Sequence, residues 1–308
     1  MANKQISFPK QLFNYREYLL MLLPAIVFFI TFNYIPMAGI IIAFKEYSFS
    51  GGIFGSPWVG LNNLKFILMN NDLFMVIRNT VGYNIAFIIV NNVLEIFCAV
   101  VLAELGSKLF KKVSQTILLL PFFISWVVVG ALTYNLFNYE HGFISSILNS
   151  FGKPPIDFYN LPLYWIPIII LISAWKSIGY GAVVYLATIM GIDTAIYEAA
   201  EIDGASTYQR TFLITIPMLV PTMIIMVLLS LGNIFRGDFS MFYQLVGNNA
   251  MLWPTTDVID TFVTRSLLQS NDIGMSSAVG FFQSIFGFAT VVIVNLFIRA
   301  YDKEYSLF

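Results

Sequence analysis

The sequence predicts an all-α, polytopic membrane protein with six transmembrane helices, on three observations. Of its 308 residues, 58% are hydrophobic and only 11% charged, where a soluble domain carries about 25% charged residues. Mean hydropathy is +0.79. The apolar residues gather into six runs, each long enough for the ~20 helical residues that a bilayer requires. The runs are continuous and do not alternate polar with apolar. They therefore read as helices, which satisfy their backbone polar groups internally, and not as strands of a membrane barrel.

Span one covers about 18–44 and has no charge from Tyr18 to Phe44. It follows Lys4, Lys10 and Arg16, and it is too long for the ~7–15-residue core of a cleaved signal peptide. Span two, about 79–103, carries a single acid, Glu95. Span three is about 113–139, and span four, about 162–190, carries one base, Lys176. Span five is about 211–235 and span six about 273–298. Short amphipathic segments fill the loops between them. "FSGGIFGSPWVGLNNLKF" opens with turn residues, Phe143, Ile144, Ile147, Leu148 and Phe151 recur at helical spacing, and "TDVIDTFVTRSLL" sets Val258, Ile259, Phe262 and Val263 on one side.

Lysine and arginine orient the chain. With both termini in the cytoplasm, the inner side receives Lys4, Lys10, Arg16, Lys108, Lys111, Lys112, Arg210, Arg299 and Lys303. The outer side receives Lys45, Lys65, Arg78, Lys153, Arg236 and Arg265, so the bias is nine against six. The tight cluster Lys108–Lys112 weighs most. The net charge of −1 gives no nucleic-acid footprint, and the lone Cys98 allows no intramolecular disulfide. His141 is the only histidine, so no metal cluster is expected, and no nucleophile–base pair argues for an enzyme.

The segment "EAAEIDGASTYQRTFLITIPMLVPT", 198–222, interrupts this oil. Gly191 is a natural stop for span four, and Asp193 can cap a short new helix. Ala199, Ala200 and Asp203 then share a shallow face that another protein can approach, with Glu198 and Glu201 at its rim. Gly204 permits a turn or a close approach, and Pro217 and Pro221 should bend or break span five. From the residues alone, a solvated acidic loop accounts for the segment equally well.

The spacing Glu-Ala-Ala, three residues, Gly, nine residues, Ile-x-Leu-Pro resembles the signature loop of the membrane subunits of binding-protein-dependent ABC importers. Glu198, Ala199, Ala200, Gly204, Ile214 and Pro217 stand at the family positions, and Ile216 replaces the usual leucine. The resemblance extends from about Met75 to Arg299 and is nearest the maltose-type permeases. "WKSIGY" (175–180) and "TDVIDTFV" (256–263) are similar to the oligosaccharide and polysaccharide branch.

The resemblance implies the type I ABC importer permease (MetI-like) fold. It divides the chain into a cytoplasmic tail, 1–17, a first helix with its outer loop, 18–74, a permease domain, 75–299, and a second tail, 300–308. The coupling loop, 193–210, would dock in a cleft of a cytoplasmic ATPase, with Glu198 paired to a base and Ala199, Ala200, Asp203 and Gly204 forming the contact. The implied partners are a second homologous permease, an ABC ATPase dimer holding ATP and magnesium, an extracellular sugar-binding protein, the bilayer of a bacterial plasma membrane and an oligosaccharide. This chain has no G-x-x-x-x-G-K-S/T loop, so it is expected to carry no cofactor and to draw its energy from the partner. A stand-alone secondary transporter is the competing class, and no inverted repeat of hydropathy supports it.

The substrate path is less determined. By the same resemblance, the sugar would meet Phe122 and Trp126 in span three, Ser173 and Ser177 in span four, and Ser230 and Asn233 in span five. An unpaired lysine at mid-membrane costs at least ~2.5–3.5 kcal/mol, so Lys176 needs a partner. It either lines the path beside Trp175 and Tyr180 or pairs with Glu95. Asn84, Asn91, Asn92, Gln283 and Asn295 read as glue between helices.

Overall fold

The computed structural model describes residues 15–69, 71–301 and Lys303. Lys4, Lys10 and most of both expected tails lie outside the described residues. Five of the six expected spans are helices long and apolar enough to cross a membrane, 16–44, 73–104, 162–190, 207–231 and 273–300, and the expected third span is a bent pair, 108–123 and 126–137. The one β-type pairing among the described residues is an isolated bridge between Lys45 and Trp58.

Prolines shape two of the spans. Span one widens into a π-turn at Ile30–Tyr34, ahead of Pro36, and span five does so at Thr211–Thr215, ahead of Pro217. A proline ring clashes with the carbonyl four residues back and supplies no N–H. The wider turn absorbs both defects at Pro217, and with Pro221 inside the helix Ile216–Leu231 span five stays continuous where a break was conceivable. Span three does break. Its first helix ends at Phe123, Ile124 is extended, and Ser125 caps the second helix by accepting from the Val128 N–H at 3.5 Å. The two halves meet at 92°.

Spans two and four form the central pair. Gly181 lets them touch, because a Cβ there would overlap the Glu95 carboxylate. Around this pair, one apolar cluster joins Tyr83, Trp165, Ile169, Phe242 and Leu245. A second, nearer the other end of the bundle, joins Ala99, Leu102, Tyr185, Leu186 and Leu219. The first span is exposed along Arg16–Phe29 and anchors at its far end, where Phe44 meets Phe281 edge-on at 5.2 Å between ring centres.

The amphipathic loops fold as short helices, at Gly52–Gly55, Asn62–Met69, Phe143–Ser150 and Ile259–Ser270. Lys45 is only 3% exposed and donates to the carbonyls of Ile53 and Phe54 at 2.9 and 2.8 Å. "TDVIDTFV" proves to be a built corner. Asp257 takes a two-pronged ion pair from Arg265 at 2.5 and 3.1 Å, and the guanidinium lies 3.9 Å from the Trp253 ring centre.

Candidate functional site

Two places have the chemistry of a transporter, one at each end of the bundle. The first is the segment after span four. Span four stops at Met190, and the Asp193 carboxylate accepts from the Ala195 N–H at 3.0 Å, starting the nine-residue helix Thr194–Ile202. That helix ends in a left-handed turn. Gly204 has φ +81°, the Ala205 N–H bonds back to the Ala200 carbonyl at 2.9 Å, and the Gly204 N–H bonds to Glu201 at 3.0 Å. This paired closure satisfies two of the carbonyls that a helix end leaves open, and it favours glycine at the left-handed position. Ser206 and Gln209 then cap each other to start Thr207–Arg210 and span five.

Glu198, Ala199, Asp203 and Gly204 are exposed and Ala200 is half-buried. Ile202 is 87% exposed, an apolar side chain in the open. The helix is tied down from behind. The Tyr197 hydroxyl meets Thr215 at 2.9 Å, and Arg210 pairs with Glu201 at 3.2 Å. It is therefore a rigid knob whose small-residue face is uncovered.

The second place is a cavity of about 310 Å³ toward the opposite end. Of the expected path residues, Trp126, Ser173, Ser177 and Asn233 line it together. Phe122, Lys176, Tyr180 and Ser230 do not. The Ser230 hydroxyl donates to the Met226 carbonyl of its own helix at 2.9 Å. Phe122 and Tyr180 stack on each other at 5.1 Å, with ring planes 15° apart.

Lys176 stands outside the cavity lining and is held by backbone carbonyls. Its ammonium donates to the carbonyls of Pro121, Phe122 and Ile124 at 3.2, 2.8 and 2.6 Å. It also lies 5.3 Å from the Trp126 ring centre and 5.7 Å from that of Phe122. They lie at the end of the first half of span three, where the helix dipole is negative; the Pro121 carbonyl also accepts from the Ile124 N–H at 3.2 Å. Lys176 is thus the cap of a broken helix. Among the described residues no ion pair joins it to Glu95, whose carboxylate is buried against Gly181.

Side chains that hold helices surround the cavity. Asn84 donates to the carbonyls of Ile234 and Arg236 at 3.0 and 2.9 Å and so fixes the end of span five. Gln283 reaches the Phe235 carbonyl and the Asp260 carboxylate, both at 2.9 Å. Asp260 also accepts from the Gly237 N–H at 2.5 Å, and burial raises its pKa above the ordinary carboxylate value. The Tyr185 hydroxyl donates to Asn92 at 2.6 Å. Asn84, Asn92 and Gln283 thus join helices as expected. The wall that span two presents, Tyr83 above all, was not legible beforehand, since a tyrosine in an apolar run carries no signal of its own.

Residues 92–305 match the family described as the binding-protein-dependent transport system inner membrane component. The chain belongs to that family. It is 31% identical to protein LplB of Bacillus subtilis (strain 168), across 98% of this chain and 95% of that protein. It is 32% identical to the polygalacturonan/rhamnogalacturonan transport system permease protein YteP of the same organism, across 92% of this chain and 88% of YteP. It also superposes on a chain of a bacterial alginate ABC transporter, crystallised with an alginate-pentasaccharide-bound periplasmic protein, with a TM-score of 0.86 and 30% identity. The superposition covers 96% of this chain and 98% of the transporter chain. The protein is a multi-pass membrane component of a transport system with the ABC permease fold, not an enzyme.

Proposed function

We propose that this permease carries oligosaccharides, complex glycans among them, and is driven by ATP hydrolysed with magnesium on a separate ATPase dimer. The observation that carries the reading is the capped, rigid helix Thr194–Ile202, which leaves Glu198 and Ala199 open on a fold matched along nearly its whole length by an ABC transporter chain. A small-residue face with an acidic rim suits insertion into a basic-rimmed cleft. Gly204 lets the chain turn away without a side chain at the contact.

ATP binding closes the ATPase dimer and draws its two docked helices together. The Tyr197–Thr215 and Arg210–Glu201 contacts transmit that movement to span five. The cavity around Trp126, Ser173, Ser177 and Asn233 is the substrate path, offering an aromatic face with hydroxyl and amide groups, as a sugar requires. A second, related permease completes the path, and an extracellular binding protein delivers the sugar. Residues 75–299 form the permease domain, and both termini are cytoplasmic, in keeping with the nine-to-six bias of lysine and arginine.

The test is to purify the tagged chain from its native membrane and reconstitute what accompanies it. The expected result is an ATPase and a second permease in the complex, with sugar uptake that stops without ATP. A chain that transports alone would refute the reading.

A further inference from the structure

Thr80, Tyr83, Asn84, Phe87 and Asn91 follow three- and four-residue steps along one face of the span-two helix, and all five line the 310 Å³ cavity. Three of them are accounted for by the fold. Thr80 donates to the Val76 carbonyl at 2.8 Å and accepts from the Ile259 N–H at 2.9 Å. Asn84 ties down span five, and the Phe87 ring stacks on Tyr83 at 5.7 Å.

Tyr83 and Asn91 differ. The Tyr83 hydroxyl and the Asn91 side-chain oxygen are the two buried side-chain polar atoms, among the described residues, that no protein group hydrogen-bonds. Tyr83 is only 5% exposed. Each such atom gives up its hydration without return. Packing does not need either one. A phenylalanine would keep the ring contacts of Tyr83 with Phe87 and, at 5.0 Å, Phe242. A leucine would fill the space of Asn91. Both residues line one cavity, and the helix-gluing role expected of Asn91 does not account for its oxygen.

We propose that Tyr83 and Asn91 bind the saccharide in transit. The Tyr83 hydroxyl donates to a sugar oxygen, and the Asn91 oxygen accepts from a sugar hydroxyl. Both groups are uncharged at neutral pH, so span two reads the hydroxyl pattern of the substrate and not its carboxylates. The two residues stand about 12 Å apart along the helix axis, at 1.5 Å per residue. That is longer than one sugar ring, so they contact different rings, and a monosaccharide would reach only one of them. This inference rests on the oligosaccharide reading above.

The test uses the complete transporter with its partner subunits in proteoliposomes, with radiolabelled maltotriose and trigalacturonate as probes. The variants are Tyr83→Phe and Asn91→Leu. Each should reach the membrane at the wild-type level and melt at or above the wild-type temperature, because an unpaired polar atom has been removed. ATP hydrolysis should be unchanged, while sugar carried per ATP falls about fivefold, the worth of one neutral hydrogen bond. Unchanged transport in both variants overturns the proposal. So does a loss of transport that merely follows a lowered melting temperature, which would mark the two groups as structural. If the wild type carries neither probe, the oligosaccharide reading itself fails, and that arm is read before the variants.

Discussion

The helix after span four and the cavity at the other end of the bundle are held in opposite ways. The helix is specified by its neighbours in the chain: Asp193 starts it, Gly204 turns it, and Ser206 with Gln209 begins the next. The cavity is specified by groups far apart in sequence. Lys176 holds carbonyls 52 to 55 residues away, Asn84 reaches the end of span five, and Asn79 donates to the Asp257 carbonyl at 3.1 Å. A locally defined knob can be gripped and moved as a unit. A cavity built on cross-span bonds deforms only when whole spans move.

If that division is right, damage at the two ends should differ in kind. The largest effect is expected from Lys176→Met, which takes the ammonium donor from the Phe122 and Ile124 carbonyls at the 92° break and leaves Pro121 only its bond from the Ile124 N–H. These bonds are partly buried or exposed, and each is worth roughly 0.5–1.5 kcal/mol, so the variant should melt clearly below the wild type in detergent. Lys176→Arg should recover much of the loss. A well-folded Lys176→Met protein would break the comparison.

Next in size is Gly204→Pro. Proline cannot adopt φ +81°, so the turn after the helix is lost while the spans remain. Glu198→Lys should act similarly, by reversing charge on an exposed face. Both variants are expected at normal membrane levels, hydrolysing ATP in the complex with uptake reduced at least about tenfold, the worth of a charged contact. Uptake at the wild-type ratio to ATP would remove the coupling role from this helix.

A smaller effect belongs to Ser177→Ala with Asn233→Ala, two polar groups of the cavity wall. Uptake should fall several-fold without loss of ATPase docking, each group contributing roughly 0.5–1.5 kcal/mol. The smallest is Ser230→Ala, expected to be silent, because that hydroxyl bonds its own helix and stands outside the cavity. Sensitivity at Ser230 equal to that at Asn233 would place the path elsewhere.

The same division explains what could be read from the sequence. The spans were legible because burial in lipid demands long uncharged runs, and the short helix after span four was legible because caps and turns are spelled by adjacent residues. The break in span three was not, since Pro121 and Ser125 sit inside an unbroken apolar run. The role of Lys176 was hidden for a related reason. Its partners are backbone carbonyls, which every residue has, so no residue type marks them. Glu95 looked like a mate only because it is the other charge within a span, whereas it stands against Gly181. Asn91 looked like glue because asparagine in a membrane helix usually is, and only the placement of its neighbours reveals an oxygen without a partner.

The central claim is that the open face of helix Thr194–Ile202 is where the motor grips the permease. It is tested most directly by replacing Cys98 with alanine, introducing Ala199→Cys, and measuring the rate of maleimide labelling in membranes before and after the ATPase is stripped away. The thiol should be protected in the complete assembly and label rapidly once the ATPase is gone. Equal labelling in both states would contradict the account.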